Sequence, residues 1–165
     1  MDDWLIDDDR LSLGRKSVLP GEGFFHPDSF ETEQAEREAI DRLTDAGVVV
    51  IADPDADGLA CTALIRLAHG EASLVPAGPH ELREAVEWAA EYAEPDATVY
   101  ICDLCPDSDG DVADVDSLVS RVERVAWYDH HQWNDDLAAT VRNAGVDLVV
   151  GDSEEVCTAD VALSE

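Results

Sequence analysis

"VVVIADPDADGLACTAL", residues 48–64, is the stretch on which the reading of the chain turns. Val48 to Ala52 is an unbroken apolar run rich in β-branched residues, the pattern of a strand buried on both faces. Asp53, Asp55 and Asp57 follow at alternate positions, and Gly58 closes the series. Leu59 to Ala68 then reads as a helix. A buried strand running through a polar turn into a helix is the opening of a βαβ unit, and the rest of the chain repeats that plan.

Upstream, Thr32 to Ala46 places Ala35, Ala39, Ile40, Leu43 and Ala46 at helical spacing, with Gly47 as its stop. Downstream, strands are expected at Ser73–Val75, Thr98–Cys102, Val125–Tyr128 and Val146–Val150. Helices are expected at Glu81–Tyr92, Val115–Val122, Leu137–Ala144 and from Cys157 to Leu163. Such alternation predicts an α/β domain over residues 31–165, a parallel sheet of about five strands with helices on both faces. Residues 1–30 carry Gly, Pro and aromatics ("LPGEGFFHPDSF") without a period and are expected to form an irregular arm. "PDSDGDVADVD" reads as a solvated acidic loop.

Composition narrows the setting. The 165-residue chain carries 39 acidic residues against 10 basic ones, a formal charge of −29, with Lys16 its one lysine. A hydrophobic content of 45% argues against a disordered acidic tail. Such a surface repels itself in dilute buffer, whereas at ~1 M salt the Debye length falls to about 3 Å. The charge therefore reads as adaptation to a salty cytoplasm such as that of a halophilic archaeon, with an acidic interaction surface as the alternative. "MDDWLIDDDR" lacks the basic start and apolar core of a signal peptide, and no run approaches the ~18 apolar residues of a membrane span. A cytoplasmic protein with no membrane partner and four reduced cysteines is expected.

The polar clusters fall at strand ends. Asp53 follows "VVVIA", Asp103 follows "TVYIC", "DHH" (Asp129, His130, His131) follows "VAWY", and Gly151–Asp152 follows "VDLVV". Open α/β sheets bind ligands at the carboxyl ends of their strands, so these groups are brought to one edge. An EF-hand loop would need a bidentate Glu where Leu64 stands and a helix where the strand stands. An aspartate-nucleophile phosphatase would use Asp55 as nucleophile and Asp57 as acid. It also needs a downstream cation for the phosphoryl charge, where only arginines are available, and it leaves "DHH" idle. A two-metal phosphoesterase uses every cluster. Ions about 3.5–4 Å apart polarise a phosphate and acidify a water between them. Alternating aspartates can face two ions, Asp103 can bridge them, and His130 can supply the nitrogen.

"DPDADGLACTAL", "ICDLCPD" and "YDHHQW" together resemble the first three motifs of the DHH phosphoesterase superfamily, the first motif in its RecJ-like form. The resemblance spans about residues 48–163. It implies hydrolysis of phosphodiester bonds in single-stranded or short nucleic acid, oligonucleotides or nucleotides, with cyclic dinucleotides and pyrophosphate as further substrates in the superfamily. It implies two Mn²⁺ ions, which Mg²⁺ can replace. Asp55 and Asp57 match metal ligands of the first motif, with Asp53 a further candidate. Asp103 matches the bridging carboxylate and His130 the imidazole ligand. His131 matches the group beside the phosphate or leaving oxygen, and Asp129 the residue that holds the imidazoles. Ile51 stands where many members have a histidine. Ser153 and Thr158 are candidate phosphate contacts at a helix start, although capping accounts for them equally well. The superfamily also draws an aspartate from a fourth motif and uses a second, clamping domain. Neither is found here, although Asp152 and Asp160 are conceivable substitutes, so a truncated catalytic domain is expected. A metal- or nucleotide-binding module without chemistry stands as the alternative. Cys102 and Cys105 form a CxxC, but Cys61 and Cys157 do not complete a zinc set. Trp127, Tyr128 and Trp133 are expected to pack around the site.

Overall fold

The computed structural model describes residues 28–165. In chain order the elements are α1 (Asp28–Leu43), β1 (Val48–Ala52), α2 (Ala56–His69), β2 (Ser73–Pro76), α3 (Leu82–Tyr92) and β3 (Thr98–Cys102). A short 3-10 helix (Asp109–Val112) leads to α4 (Val115–Arg121), β4 (Arg124–Asp129), α5 (Asp135–Ala144), β5 (Asp147–Val150) and α6 (Thr158–Ser164). All five strands pair in parallel, in the order β2-β1-β3-β4-β5. The expected α/β class, strand number and parallel pairing are all present.

Side chains alternate across the sheet with the two-residue period of a strand. Val49, Ile51, Val99, Ile101, Val125 and Trp127 face one layer, where Ala39 and Leu43 of α1, Ala85 and Val86 of α3, Leu118 of α4 and Val141 of α5 cover them. Val50, Ala52, Tyr100, Cys102, Ala126 and Tyr128 face the other, under Cys61 and Ile65 of α2 and Val161 of α6. Helices lie on both faces because β1, β3 and β4 bury apolar side chains toward both, with Thr98, Arg124 and Asp129 only at strand ends. A strand with water on one face would have alternated.

The boundaries differ from the expected ones where local polar groups intervene. Helix α1 begins at Asp28 rather than Thr32, and the rest of the expected N-terminal arm lies outside the described residues. It stops at Leu43 because Asp45 takes a left-handed conformation (φ 59°), which Asp tolerates better than most residues. Helix α2 starts three residues early, since Asp55 caps it by accepting the N–H groups of Asp57 (2.9 Å) and Gly58 (3.1 Å). The acidic stretch after Asp107 is no open loop. Asp111 Oδ2 accepts from the backbone N–H and hydroxyl of Ser108, closing the 3-10 turn, while Val112 and Val115 enter the core.

Candidate metal centre

The strand order reverses between β1 and β3, and the crevice beyond their carboxyl ends is where sheets of this kind place their sites. The Asp53–Gly58 turn leaves β1 there, Asp103 ends β3, and "DHH" ends β4 one strand further on. Gly58 makes the first turn possible. A Cβ on it would lie 2.1 Å from the Asp53 carbonyl oxygen, closer than any side chain permits.

Asp103 is almost fully buried and holds a left-handed backbone (φ 59°), with its N–H bonded to the Tyr128 carbonyl at 3.1 Å. A non-glycine residue in that region is strained, and here the strain turns the carboxylate out of the sheet toward the crevice. Burial pushes its pKa up, and the charges of Asp57 and Asp55 push it further, against a hydrogen bond from Thr158 that lowers it.

Asp103, His130 and His131 each offer a ligand atom within 4.8 Å of the others. His130 Nε2 lies 3.7 Å from Asp103 Oδ1 and 3.9 Å from Asp57 Oδ2. Ligand atoms about 2.1 Å from one ion lie at most about 4.2 Å apart, so each of these two distances suits His130 Nε2 sharing a divalent cation with a carboxylate. The tautomer suits it too. His130 Nδ1 lies 3.1 Å from the Val156 carbonyl, which can only accept. The ring proton therefore sits on Nδ1 in the neutral imidazole, and the Nε2 lone pair faces the carboxylates.

Asp129 is wholly buried and touches no open space. Its Oδ1 accepts from His131 Nδ1 (2.6 Å) and from the backbone N–H groups of His130 (2.7 Å) and His131 (3.3 Å), and its Oδ2 accepts from Trp133 Nε1 (2.7 Å). It fixes both histidines, one through its ring and one through its backbone. Burial works against a charged His131, but the Asp129 hydrogen bond and the charges of Asp129, Asp103 and Asp57 raise its pKa above the ordinary value. Trp133 packs edge-on against Trp127 (5.0 Å between ring centres, 81°) and so belongs to the wall of the site.

The remaining candidates separate by position. Asp57 accepts the N–H groups of Thr158 (Oδ2, 2.7 Å) and Ala159 (Oδ1, 2.8 Å), joining the first motif to α6. Burial alone would raise its pKa, yet these two bonds hold it below the usual carboxylate range. Asp55 is exposed, with Oδ1 committed to its helix cap. Asp53 is half-buried, its pKa raised by burial and by Asp55 and Glu81. None of Asp53, Asp55 and Asp57 belongs to the Asp103–His130–His131 cluster, although Asp57 comes within 3.9 Å of His130 Nε2. Ser153 is exposed in the turn before α6, and no hydrogen bond ties it to the site. Thr158 is fully buried with both donors engaged, its N–H on Asp57 and its hydroxyl on Asp103 Oδ1 (2.8 Å). It holds carboxylates where a phosphate contact was expected. Asp152 and Asp160 close local turns, accepting from the N–H groups of Glu154 and Cys157.

The CxxC supplies no thiolate pair. A hydrogen bond donated to Cys61 and burial push the Cys102 thiol well up, and burial beside Asp129 and Asp107 pushes Cys105 up to about 12. Trp133 was expected to pack around the site and does, but its hydrogen bond to Asp129 and the Val156 carbonyl on His130 were not foreseen. Compared with known families, curated proteins and solved structures, the chain matches no family model, no curated protein and no solved structure.

Proposed function

We propose that this chain carries a divalent-metal phosphoesterase centre of the DHH type, acting on phosphodiester bonds of short or single-stranded nucleic acid or of nucleotides, with Mn²⁺ as its ion. The observation that carries the reading is the cluster of Asp103, His130 and His131 at the β1/β3 crevice, with Asp57 Oδ2 3.9 Å from His130 Nε2 beside it. Bound there, a divalent ion would polarise a phosphate oxygen and acidify a water, and a second ion would share that work.

The chain's own groups supply the rest. Asp103 and Asp57 bring negative charge to a partly buried edge that no arginine pairs with among the described residues. Arg42 pairs with Glu38 and Arg124 with Asp147, while Arg66 and Arg121 direct Nε to the Ala72 and Ala93 carbonyls. A site of this kind favours cations and needs one before it can hold a phosphate. Asp55 and Asp53, at the same edge, are the carboxylates available to a second ion. His131 donates Nδ1–H to Asp129, and its half-exposed ring can present Nε2–H to a leaving oxygen.

The aspartate-nucleophile alternative is disfavoured. Asp57 would have to be the acid, yet two backbone N–H groups donate to its carboxylate and lower its pKa, the opposite of what an acid needs.

The test is Mn²⁺ titration calorimetry on the wild type and Asp103→Asn, run beside a turnover panel of oligonucleotides, cyclic dinucleotides and pyrophosphate in about 2 M KCl. The wild type is expected to bind saturably and to cleave a phosphodiester, and Asp103→Asn to lose at least one ion. Absence of saturable Mn²⁺ heat in the wild type would sink the proposal. Binding without turnover on any substrate would leave a metal-binding module in its place.

A further inference from the structure

Two of the candidate ligand carboxylates come from different strands, Asp57 beyond β1 and Asp103 at the end of β3, and each accepts a hydrogen bond from the same distant residue. The Thr158 hydroxyl donates to Asp103 Oδ1 at 2.8 Å, and the Thr158 N–H donates to Asp57 Oδ2 at 2.7 Å. These are the oxygens nearest to His130 Nε2, at 3.7 and 3.9 Å. We infer that Thr158 is a positioning residue for the metal centre, setting the spacing and orientation of the Asp57 and Asp103 carboxylates at its edge. The inference rests on the metal reading above.

The physical case has three parts. Two like-charged carboxylates sharing a crevice repel each other, and each raises the cost of ionising the other. A donor bonded to both offsets that repulsion before any ion arrives, so less reorganisation remains when the ion binds. Thr158 is also rigid. Its side chain is wholly buried and β-branched, leaving χ1 little freedom, and its backbone opens α6 behind the Cys157 cap. Finally, the hydroxyl leaves a choice on Asp103. With one lone pair of Oδ1 taken by Thr158, the other lone pair and Oδ2 remain for an ion. A phosphate contact would have needed this hydroxyl free and exposed.

Three substitutions test the inference by Mn²⁺ calorimetry, each checked by its metal-free melting temperature. Thr158→Val keeps the shape and the N–H but removes the hydroxyl. Thr158→Ala removes it with less volume, in case Val does not fold. Thr158→Ser restores it. Outer hydrogen-bond partners of metal ligands are typically worth 10–100-fold in affinity, so Val and Ala are expected to weaken Mn²⁺ binding about tenfold or more, with Ser within about threefold of the wild type. Loss of affinity in Val and Ala with recovery in Ser supports a positioning role, because a packing role would follow the methyl group. Wild-type affinity in Ala or Val overturns the inference and leaves the metal reading standing. Absence of Mn²⁺ binding in the wild type overturns both.

Discussion

At the scale of single residues, the site depends on positions where ordinary preferences are overruled. Gly58 lies in the first turn of α2, and replacing a helical glycine by alanine ordinarily stabilises by about 0.5–1 kcal/mol. Here the added methyl would meet the Asp53 carbonyl oxygen at 2.1 Å, a backbone atom with nowhere to go. Gly58→Ala is therefore expected to destabilise by about 1–3 kcal/mol, as overpacking does, and to displace the Asp55 and Asp57 carboxylates with the turn. Urea unfolding decides the sign, and a higher midpoint in Gly58→Ala would refute the steric reading. This requirement was half visible in the sequence, where a glycine closing an aspartate series suggested a tight turn. The approach to Asp53 was not visible, because it depends on the angle at which the helix leaves the strand. Asp129 was legible as a polar residue at a strand end. Its total burial and its bond to Trp133 were not.

At the scale of elements, the central strands were the easiest to read. β-branched runs without alternation, such as Val48–Ala52, can only sit between two helical layers, and each of these strands lies near its expected place. Helix α6 was read as a helix, but its role in the site was not. Its link to the first motif is a pair of bonds between residues about a hundred positions apart, a separation that no local pattern encodes. Seven residues are too few for a helix to persist unaided, so α6 depends on docking. The docking contacts include Val161 in the core, the Thr158 hydroxyl on Asp103 and the Asp57 carboxylate on its first N–H groups. A hydrogen bond to a charged group contributes about 1.5–3 kcal/mol. In Asp57→Ala the Thr158 and Ala159 amides should thus exchange with solvent roughly tenfold faster or more, while the β3 amides keep their protection. Asp160→Ala is the control, since the Asp160 carboxylate bonds Cys157 within the same turn and not the first motif. Unchanged protection of Thr158 and Ala159 in Asp57→Ala would remove Asp57 as the anchor of α6.

At the scale of the whole molecule, charge dominates. A formal −29 on 165 residues cannot be neutralised internally by 10 basic residues. Those described are not all spent on carboxylates, for Arg66 and Arg121 each direct Nε to a backbone carbonyl. No helix among the described residues is long and apolar enough to cross a membrane. The acidic groups can face water or a partner. If water, added salt should stabilise the fold, and the form of the dependence identifies the cause. Between about 0.1 and 1 M KCl the Debye length falls from about 10 Å to about 3 Å, which covers most of the screening available. Relief of self-repulsion should therefore raise the melting temperature steeply over that range and flatten above it. Salt exclusion from apolar surface would instead keep adding stability at higher concentration, and would do so more with sulfate than with chloride at equal ionic strength. We expect the saturating form, with chloride and sulfate superimposing when plotted against ionic strength. Calorimetric melting in KCl and K₂SO₄ from about 0.1 to 2 M ionic strength measures it. A flat profile would mean that the carboxylates do not strain the isolated fold. The acidic surface would then be better read as a face for a cationic partner.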